Sequence, residues 1–296
     1  MNNFGDSITV GVGASPSTKS WVGLLAPVNK AVSGSQAADV ANVVTLTTPN
    51  VSDGHTLMIG TNDVRLYKDN ASKQAHFKRF LRHCIAWLHY PAKVLGINCT
   101  FTGTWSNTTV NSIGKNSTQN GATAKATVTG DKIYIGYIIQ NSSAAISTAD
   151  VYVDNVLVGV ISCDGITAPM NTGNGATYAA ACECFEVGAG AHEVRLVVTS
   201  TNKYFYLNYI LGNNQVVSKL LVSNIIKYSD AAYITYGVSE IILNKYNNII
   251  NLLSAEFALT IVDNKSDIVP SLHLADGIHP NNAGHEIIYN NFKKSL

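Results

Sequence analysis

The stretches HTLMIG (residues 55–60) and SKQAHFKRFLRHCIAWLHY (residues 72–90) decide the fold class of this chain. The first is a short apolar run that stops at a turn, which is typical of a buried parallel strand. The second repeats apolar residues every three or four positions and ends before Pro91, which predicts an amphipathic helix. Together they indicate a parallel sheet with helices on both of its faces.

The alternation of strands and helices continues on both sides of a long central region. Three further strands and two further helices are predicted, over NKAVSG (29–34), VVSKLLVSNII (216–226), VSEIILNKYNNIINLLSAEF (238–257), FALTIVD (257–263) and AGHEIIYNNFKK (283–294). We expect Asn281 or Asn282 to cap the last of these helices, because asparagine is a preferred residue at that position. The sequence thus predicts an α/β fold.

The central residues 98–211 differ in composition from the rest of the chain. They are rich in Thr, Ser, Asn and Gly, and their apolar residues mostly alternate. Such runs, separated by turn residues, predict an antiparallel β-sandwich. Asp154-Asn155 is typical of a tight hairpin turn, and GAGAH (188–192) of a glycine turn.

The α/β pattern resumes after this region, so we predict an inserted domain. The predicted boundaries are 1–96 for the first part of the α/β domain, 97–212 for the inserted β-sandwich, and 213–296 for the second part of the α/β domain.

Composition and charge exclude several classes of partner. The net charge is +1, without the basic patch of a nucleic-acid-binding protein. No apolar run reaches the roughly 18 residues of a membrane span, and the first residues lack the pattern of a signal peptide. The five cysteines show no paired spacing, which argues against a disulfide framework. We expect neither nucleic acid nor a membrane as a partner.

Three histidines share the helix predicted over residues 72–90. His76, His83 and His89 are spaced by seven and six residues, whereas a helical metal site uses two histidines four residues apart. No nearby carboxylate completes a ligand set. We therefore predict no metal and no organic cofactor.

The stretch FGDSIT (4–9) is either a turn or the carrier of a nucleophile, since Gly, Asp and Ser are ordinary turn residues. A serine hydroxyl needs a neighbouring base before it can attack. ADGIHP (275–280) contains Asp276 and His279, and a carboxylate at this spacing can hold the Nδ1 proton of the imidazole. The alternative is a DG turn followed by a surface histidine.

Acyl transfer also requires hydrogen-bond donors aimed at the oxygen that becomes negative. Asn62, in GTND (60–63), follows a predicted strand and could offer its side-chain amide. Gly34, in SGS (33–35), could offer its backbone N–H, and Ser7 a third donor. Each stretch taken singly is an ordinary turn or loop.

These four blocks, in this order, resemble the SGNH (GDSL-like) hydrolase family over about residues 1–95 and 215–296. The resemblance implies a flavodoxin-like three-layer α/β/α fold. It assigns roles to Ser7 as the nucleophile, His279 as the base, Asp276 as the acid that orients the base, and Ser7, Gly34 and Asn62 as the oxyanion donors.

One departure concerns the strand before the GDS block. Members of the family have a full apolar strand there, whereas only Met1 to Phe4 precede Gly5 in this chain. We expect either a very short central strand or a chain cut from a longer protein, and we favour the second.

The inserted region resembles the jelly-roll, carbohydrate-binding-like modules attached to some SGNH esterases. Its candidate sugar-stacking residues are Trp105, Tyr178, Tyr204 and Tyr206, although most aromatic residues of a sandwich fill its core. The combination resembles SGNH domains of bacteriophage tail proteins and also bacterial polysaccharide deacetylases. The first resemblance implies a virion location and a homotrimer, and the second a bacterial location.

The sequence therefore predicts a serine esterase that removes acyl groups, foremost acetyl, from a carbohydrate such as a bacterial surface polysaccharide. Two alternatives are a lipid or thioester hydrolase with the same triad and a non-catalytic glycan-binding module.

Overall fold

The computed structural model describes residues 1–26, 28–108, 110, 112–166, 172–173 and 175–296. Its strands are β1 (Asn2–Gly5), β2 (Val28–Asn29), β3 (Gly54–Met58), β4 (Val94–Leu95), β5 (Thr100–Thr102), β6 (Ser106–Asn107), β7 (Lys115–Ser117), β8 (Thr123–Gln140), β9 (Thr148–Val153), β10 (Val156–Ser162), β11 (Tyr178–Val198), β12 (Phe205–Gly212), β13 (Lys219–Ser223) and β14 (Ile261–Val262). Its α-helices are α1 (Ser7–Val10), α2 (Trp21–Leu25), α3 (Ala37–Thr45), α4 (Thr61–Tyr67), α5 (Ala71–His89), α6 (Asp230–Tyr236), α7 (Glu240–Glu256), α8 (Pro270–His273) and α9 (Asn282–Lys294). None of the described helices combines the length and the apolar character that crossing a membrane requires.

A parallel sheet forms the centre of the α/β unit. Its strands lie in the order β14-β13-β3-β1-β2, and every neighbouring pair is parallel. Successive side chains of a strand point to opposite faces. The α/β unit has one apolar core on each face of the sheet. Leu57 and Val222 pack into the first core, and their neighbours Met58 and Leu221 pack into the second. Both faces of the sheet are therefore covered.

Helices fill the layers on either side of this sheet. Helices α3, α5 and α7 supply buried residues to the core that contains Phe4 and Leu57. Helices α2 and α9 cover the opposite face, where the rings of Trp21 and Phe292 stack with their centroids 4.5 Å apart. The three-layer α/β/α fold predicted from the sequence is confirmed.

The central strand and one edge strand are shorter than expected. β1 is only four residues long, yet it pairs with β2 on one side and β3 on the other. The strand predicted over 29–34 was wrong in extent, because β2 comprises only Val28 and Asn29. Beyond it, Lys30 and Val32 still donate backbone hydrogen bonds to Asn3 and Gly5 of β1, and the chain turns at Gly34, whose φ is +82°. A very short central strand is thus present, and the cutting of the chain from a longer protein stays a prediction.

The central region forms a second, antiparallel sheet. Its strands lie in the order β10-β9-β11-β8-β12-β7-β6, with β4 on β12 and β5 on β8. The hairpin predicted at Asp154-Asn155 is confirmed, since Val153 pairs with Val156 and the two turn residues have φ of 50° and 67°. The inserted antiparallel unit predicted from the sequence is present. β4 precedes the predicted boundary at residue 97, and the domain boundaries stay a prediction.

The glycine turn predicted at GAGAH (188–192) was wrong. β11 runs through this stretch and pairs with β8 on both sides of it, at Glu186 and at Gly190. The register shifts between these two residues, so the extra residues form a bulge. A bulge and a turn use the same small residues, and the continuous partner strand decides between them.

Arg82 of α5 joins the two units through ion pairs. Its side chain is 7% exposed, and its Nε atom lies 2.8 Å from Glu256 Oε1 of α7. Its Nη1 atom lies 3.0 Å from Glu183 Oε2 of β11. One buried guanidinium therefore ties the helical layer to the antiparallel sheet.

We expect Arg82→Ala to lower the free energy of unfolding by about 3 kcal/mol, because it leaves the largely buried carboxylate of Glu256 without its cation and Glu183 with Arg79 alone. Urea unfolding of the variant and of the wild type measures this difference. Lys125→Ala is the matched control, since it breaks an ion pair with Glu193 whose side chains are 37% and 46% exposed. Equal losses in the two variants would contradict the expected effect of burial.

Candidate active site

Ser7 lies at the carboxyl end of the central strand β1. The chain passes directly from β1 into α1, and Asp6 caps this helix by accepting a hydrogen bond from the N–H of Ile8 at 3.0 Å. Ser7 is the first residue of α1, where backbone N–H groups have no partner within the helix. Both the hydroxyl and the N–H of Ser7 are therefore placed at the edge of the sheet where loops converge.

A short loop before α9 carries the candidate base and its orienting acid. Asp276 Oδ1 accepts hydrogen bonds from the backbone N–H groups of Ile278 at 3.1 Å and His279 at 2.8 Å. The N–H of Ala275 donates to the carbonyl of His279 at 2.7 Å. These bonds close the loop into a tight turn. Of the two expected caps of α9, Asn281 is the observed one.

Ser7, His279 and Asp276 form one hydrogen-bonded line. Ser7 Oγ lies 2.9 Å from His279 Nε2, and His279 Nδ1 lies 2.6 Å from Asp276 Oδ2. Asp276 accepts, so the ring proton is assigned to Nδ1 and Nε2 is left to accept from the serine hydroxyl. The fold thus brings together the three residues that the sequence motifs singled out. Ser7 and His279 are 272 positions apart in the sequence.

Asp276 is held by hydrogen bonds more than by burial. Its side chain is 55% exposed, whereas that of His279 is 16% exposed. Desolvation raises the pKa of Asp276, but the hydrogen bonds from the ring and backbone of His279 and from Ile278 lower it more, so the pKa lies below its usual value. The carboxylate therefore stays charged and able to hold the imidazole proton.

The side-chain amide of Asn62 is oriented by two partners. Its Nδ2 atom donates to the carbonyl of Ser35 at 2.9 Å, and its Oδ1 atom accepts from Arg65 Nη1 at 3.1 Å. An amide nitrogen carries two hydrogens, so the second one remains for another acceptor. Gly60 permits this placement of α4, because its φ is +127° and a Cβ atom there would lie 2.6 Å from Ile225 Cδ1.

Gly34 lies in an exposed turn that leads into the buried N-terminus of α3. Asn62 contacts this loop directly through the carbonyl of Ser35. We call residues 34–37 the oxyanion loop. One hydrogen bond thus ties Asn62 to the residue that follows Gly34, and the catalytic role of both predicted donors stays a prediction.

Sequence reasoning missed a buried acid in the GTND block. Asp63 is fully buried, and its two carboxylate oxygens lie 3.2 and 3.0 Å from the backbone nitrogen of Ala37 in the oxyanion loop. Burial, aided by the charges of Asp6 and Asp39, raises the pKa of Asp63 to about 8. Burial likewise raises the pKa of Asp6 to about 6. Both acids lie inside the motifs that pointed to Ser7 and Asn62, since Asp6 belongs to GDS (5–7) and Asp63 to GTND (60–63). Their place in these motifs is the signal by which the sequence could have revealed them.

The buried acid Asp63 predicts a dependence of stability on pH. The unfolded chain loses this proton near the ordinary pKa of 3.8, whereas the folded chain keeps it up to about 8. The contribution of Asp63 to stability is therefore fully present below pH 3.8 and is lost as the pH rises through about 8. We expect this loss to reach about 1.4 kcal/mol per pH unit within that window.

Urea unfolding between pH 5 and pH 8 tests this expectation. Asp63→Asn cannot titrate, so its free energy of unfolding should fall less steeply with pH than that of the wild type. Asp230→Asn, at an exposed position of α6, should give a curve parallel to the wild type. A curve for Asp63→Asn that also parallels the wild type would contradict the expectation.

Two of the four candidate sugar-stacking residues lie side by side, since the ring centroids of Tyr204 and Tyr206 are 5.8 Å apart. Tyr206 is buried and Trp105 is half-buried against Phe101, with ring centroids 5.0 Å apart. Tyr204 is 41% exposed. Tyr178 is half-buried and lines a cavity of about 210 Å³ between α3 and β11. The role of these four residues in binding stays a prediction.

The three histidines of α5 lie in the interior of the molecule. His76, His83 and His89 are buried, and His83 lies 2.9 Å from the Thr45 hydroxyl. Within the part of the chain that the structure describes, no group of three or more His, Cys, Asp or Glu side chains could hold a metal ion.

Comparison with known proteins gives a likeness in fold. No protein-family model and no curated protein sequence matches this chain. It is similar to solved structures of a lipolytic G-D-S-L protein and of an esterase. One is a member of the lipolytic protein G-D-S-L family from Veillonella parvula, with 11% sequence identity and a TM-score of 0.46. The match covers 100% of this chain and 96% of that protein chain. The other is an acetylxylan esterase from Geobacillus stearothermophilus, with 13% sequence identity and a TM-score of 0.43. The match covers 99% of this chain and 91% of that protein chain.

A third likeness concerns part of the chain. A family 35 carbohydrate-binding module from Clostridium thermocellum has 10% sequence identity and a TM-score of 0.31. The match covers 40% of this chain and 94% of that module. Because identities and TM-scores are this low, the function of this chain has to be inferred from its own site.

Proposed function

We propose that this chain is a serine esterase that removes O-acetyl groups from a carbohydrate, with an acetylated bacterial surface polysaccharide as the substrate class. The observation that carries the proposal is the hydrogen-bonded line from Ser7 Oγ through His279 to Asp276. The oriented amide of Asn62 supports it, since acyl transfer needs a donor for the developing oxyanion.

The reaction follows from these positions. Ser7 Oγ attacks the ester carbonyl carbon, and His279 Nε2 takes the hydroxyl proton while Asp276 stabilises the imidazolium. The bond to the sugar oxygen breaks, and His279 returns the proton to that oxygen. Water then attacks the acetyl-Ser7 ester with His279 as base, which releases acetate and restores the serine. The oxygen that becomes negative accepts from the amide of Asn62 and the N–H groups of Gly34 and Ser7.

The carbohydrate part of the proposal is supported by the antiparallel unit. Gly173 of this unit lies against Gly34, so a substrate at Ser7 would lie beside both units. Tyr178 and Tyr204 leave part of their rings accessible, and such rings combine an apolar face with a polar hydroxyl. The virion location and the homotrimer stay predictions from the sequence resemblance.

A covalent label tests the nucleophile. Diethyl p-nitrophenyl phosphate should phosphorylate Ser7, release one equivalent of p-nitrophenol and abolish turnover of p-nitrophenyl acetate. Mass spectrometry of the peptide that contains Ser7 identifies the site. The proposed esterase function would be overturned if the label were found on another residue, or if the protein showed neither labelling nor ester turnover. The glycan-binding module would then be the better account.

Two substrate series test the specificity. Among p-nitrophenyl esters from acetate to laurate, we expect the acetate to be preferred, and a preference for long chains would favour the lipid hydrolase. Acetate release should occur from an O-acetylated polysaccharide and be absent from the same polymer after alkaline de-O-acetylation.

A further inference from the structure

Asp39 connects the oxyanion loop to the inserted antiparallel unit. It lies in the first turn of α3 and is 2% exposed. Its Oδ2 atom accepts from the N–H of Gln36 at 2.8 Å and from the N–H of Gly173 at 2.6 Å. Gln36 belongs to the oxyanion loop, whereas Gly173 belongs to the inserted unit. A single buried carboxylate oxygen therefore holds backbone from both.

Gly173 also approaches the oxyanion loop directly. A Cβ atom at this position would lie 2.3 Å from the carbonyl oxygen of Gly34 and 3.1 Å from Asp39 Oδ2. No side chain fits at the first distance, so only glycine allows this approach. The backbone of the inserted unit is thus in contact with the residue expected to donate to the oxyanion.

The oxyanion loop is held on its other side by the α/β unit. Asn62 donates to the carbonyl of Ser35, and Asp63 accepts from the N–H of Ala37. These contacts leave the peptide of Gly34 in an exposed turn. Gly173 approaches the carbonyl of Gly34 and donates to Asp39, so the inserted unit adds a contact at the residue that these bonds leave exposed.

We propose that Asp39 is a positioning residue for the oxyanion loop, and that the inserted unit acts through it by holding the backbone of Gly34 in place. The inference rests on the proposed esterase function. A donor displaced by about 1 Å can reduce a rate by about a hundredfold. Loss of the Asp39 contacts should therefore reduce kcat, because the oxyanion forms only in the transition state, and leave KM nearly unchanged.

Three variants and one control test the inference on p-nitrophenyl acetate. Asp39→Ala should lower kcat by about tenfold to a hundredfold at an unchanged KM. Asp39→Asn keeps an acceptor oxygen and should recover most of the rate. Gly173→Ala should resemble Asp39→Ala, because the added methyl pushes on Gly34. Asn42→Ala is the control, and its kcat should stay within about twofold of the wild type.

Asn42 is a matched control because it lies one turn further along α3 and joins the same two units. Its Nδ2 atom donates to the carbonyl of Tyr178 at 2.9 Å, and its Oδ1 atom accepts from the N–H of Ala180 at 3.0 Å. Thermal unfolding of each variant monitors folding. The rate of phosphorylation of Ser7 by diethyl p-nitrophenyl phosphate supplies a second readout, and it should fall in parallel with kcat.

The outcomes separate this inference from the proposed function. If the wild type does not hydrolyse the ester, the proposed function is wrong, and the role of Asp39 that rests on it is wrong as well. A wild type with turnover and an Asp39→Ala variant of equal kcat overturns the role of Asp39 alone. The role of Asp39 is also overturned if Asn42→Ala loses as much activity, because general docking of the two units would then explain the loss.

Discussion

Ser7→Ala is expected to lower kcat for p-nitrophenyl acetate by at least about 10⁴-fold, because the acyl-enzyme then has no oxygen on which to form. His279 and Asp276 would remain bonded to each other at 2.6 Å, so the loop that carries them should keep its structure. The measurement is the steady-state rate of both proteins, with background hydrolysis subtracted and folding verified by circular dichroism.

Ser17→Ala is the matched control for this experiment. Ser17 is exposed and lies ten positions further along the same segment, and its substitution should leave kcat unchanged. Equal rates for wild type and Ser7→Ala would mean that FGDSIT is only a turn. Glycan binding without turnover would then become the better account of the protein.

Asn62→Ala is expected to lower kcat by about 10²-fold to 10³-fold, which is the usual effect of removing one oxyanion donor. KM should change little, because the amide meets a negative oxygen only in the transition state. Steady-state kinetics with p-nitrophenyl acetate separates the two constants.

The control for Asn62 has to keep its second contact. Asn62→Asp retains an oxygen that can accept from Arg65 but has no N–H to donate, so it should lose at least as much activity as the alanine variant. Thermal unfolding of both variants excludes a general loss of structure. A kcat within about threefold of the wild type in both would show that this amide does not face the oxyanion.

Much of the candidate site could be predicted because its parts are local. Asp276 and His279 form a turn through bonds within four residues, and Asn62 follows directly from the strand that the HTLMIG run predicts. Such relations depend on neighbouring residues, which a sequence motif displays.

The parts that could not be predicted depend on contacts distant in sequence. The bond between Gly173 and Asp39 joins residues 134 positions apart, and no local pattern at either residue indicates it. The same holds for the burial of Asp63 beneath α3. The glycines of GAGAH suit a turn as well as a bulge, and only the long partner strand β8 selects the bulge.

The order of the site along the chain has a consequence for synthesis. Ser7 leaves the ribosome well before His279, and the whole antiparallel unit lies between them. The strands β13 and β14, which complete one half of the parallel sheet, also follow the antiparallel unit along the chain. Contacts this distant form slowly and late in folding. A nascent chain therefore carries an inert serine until His279 has emerged and docked, so the proposed ester hydrolysis would report that this part of the fold is complete.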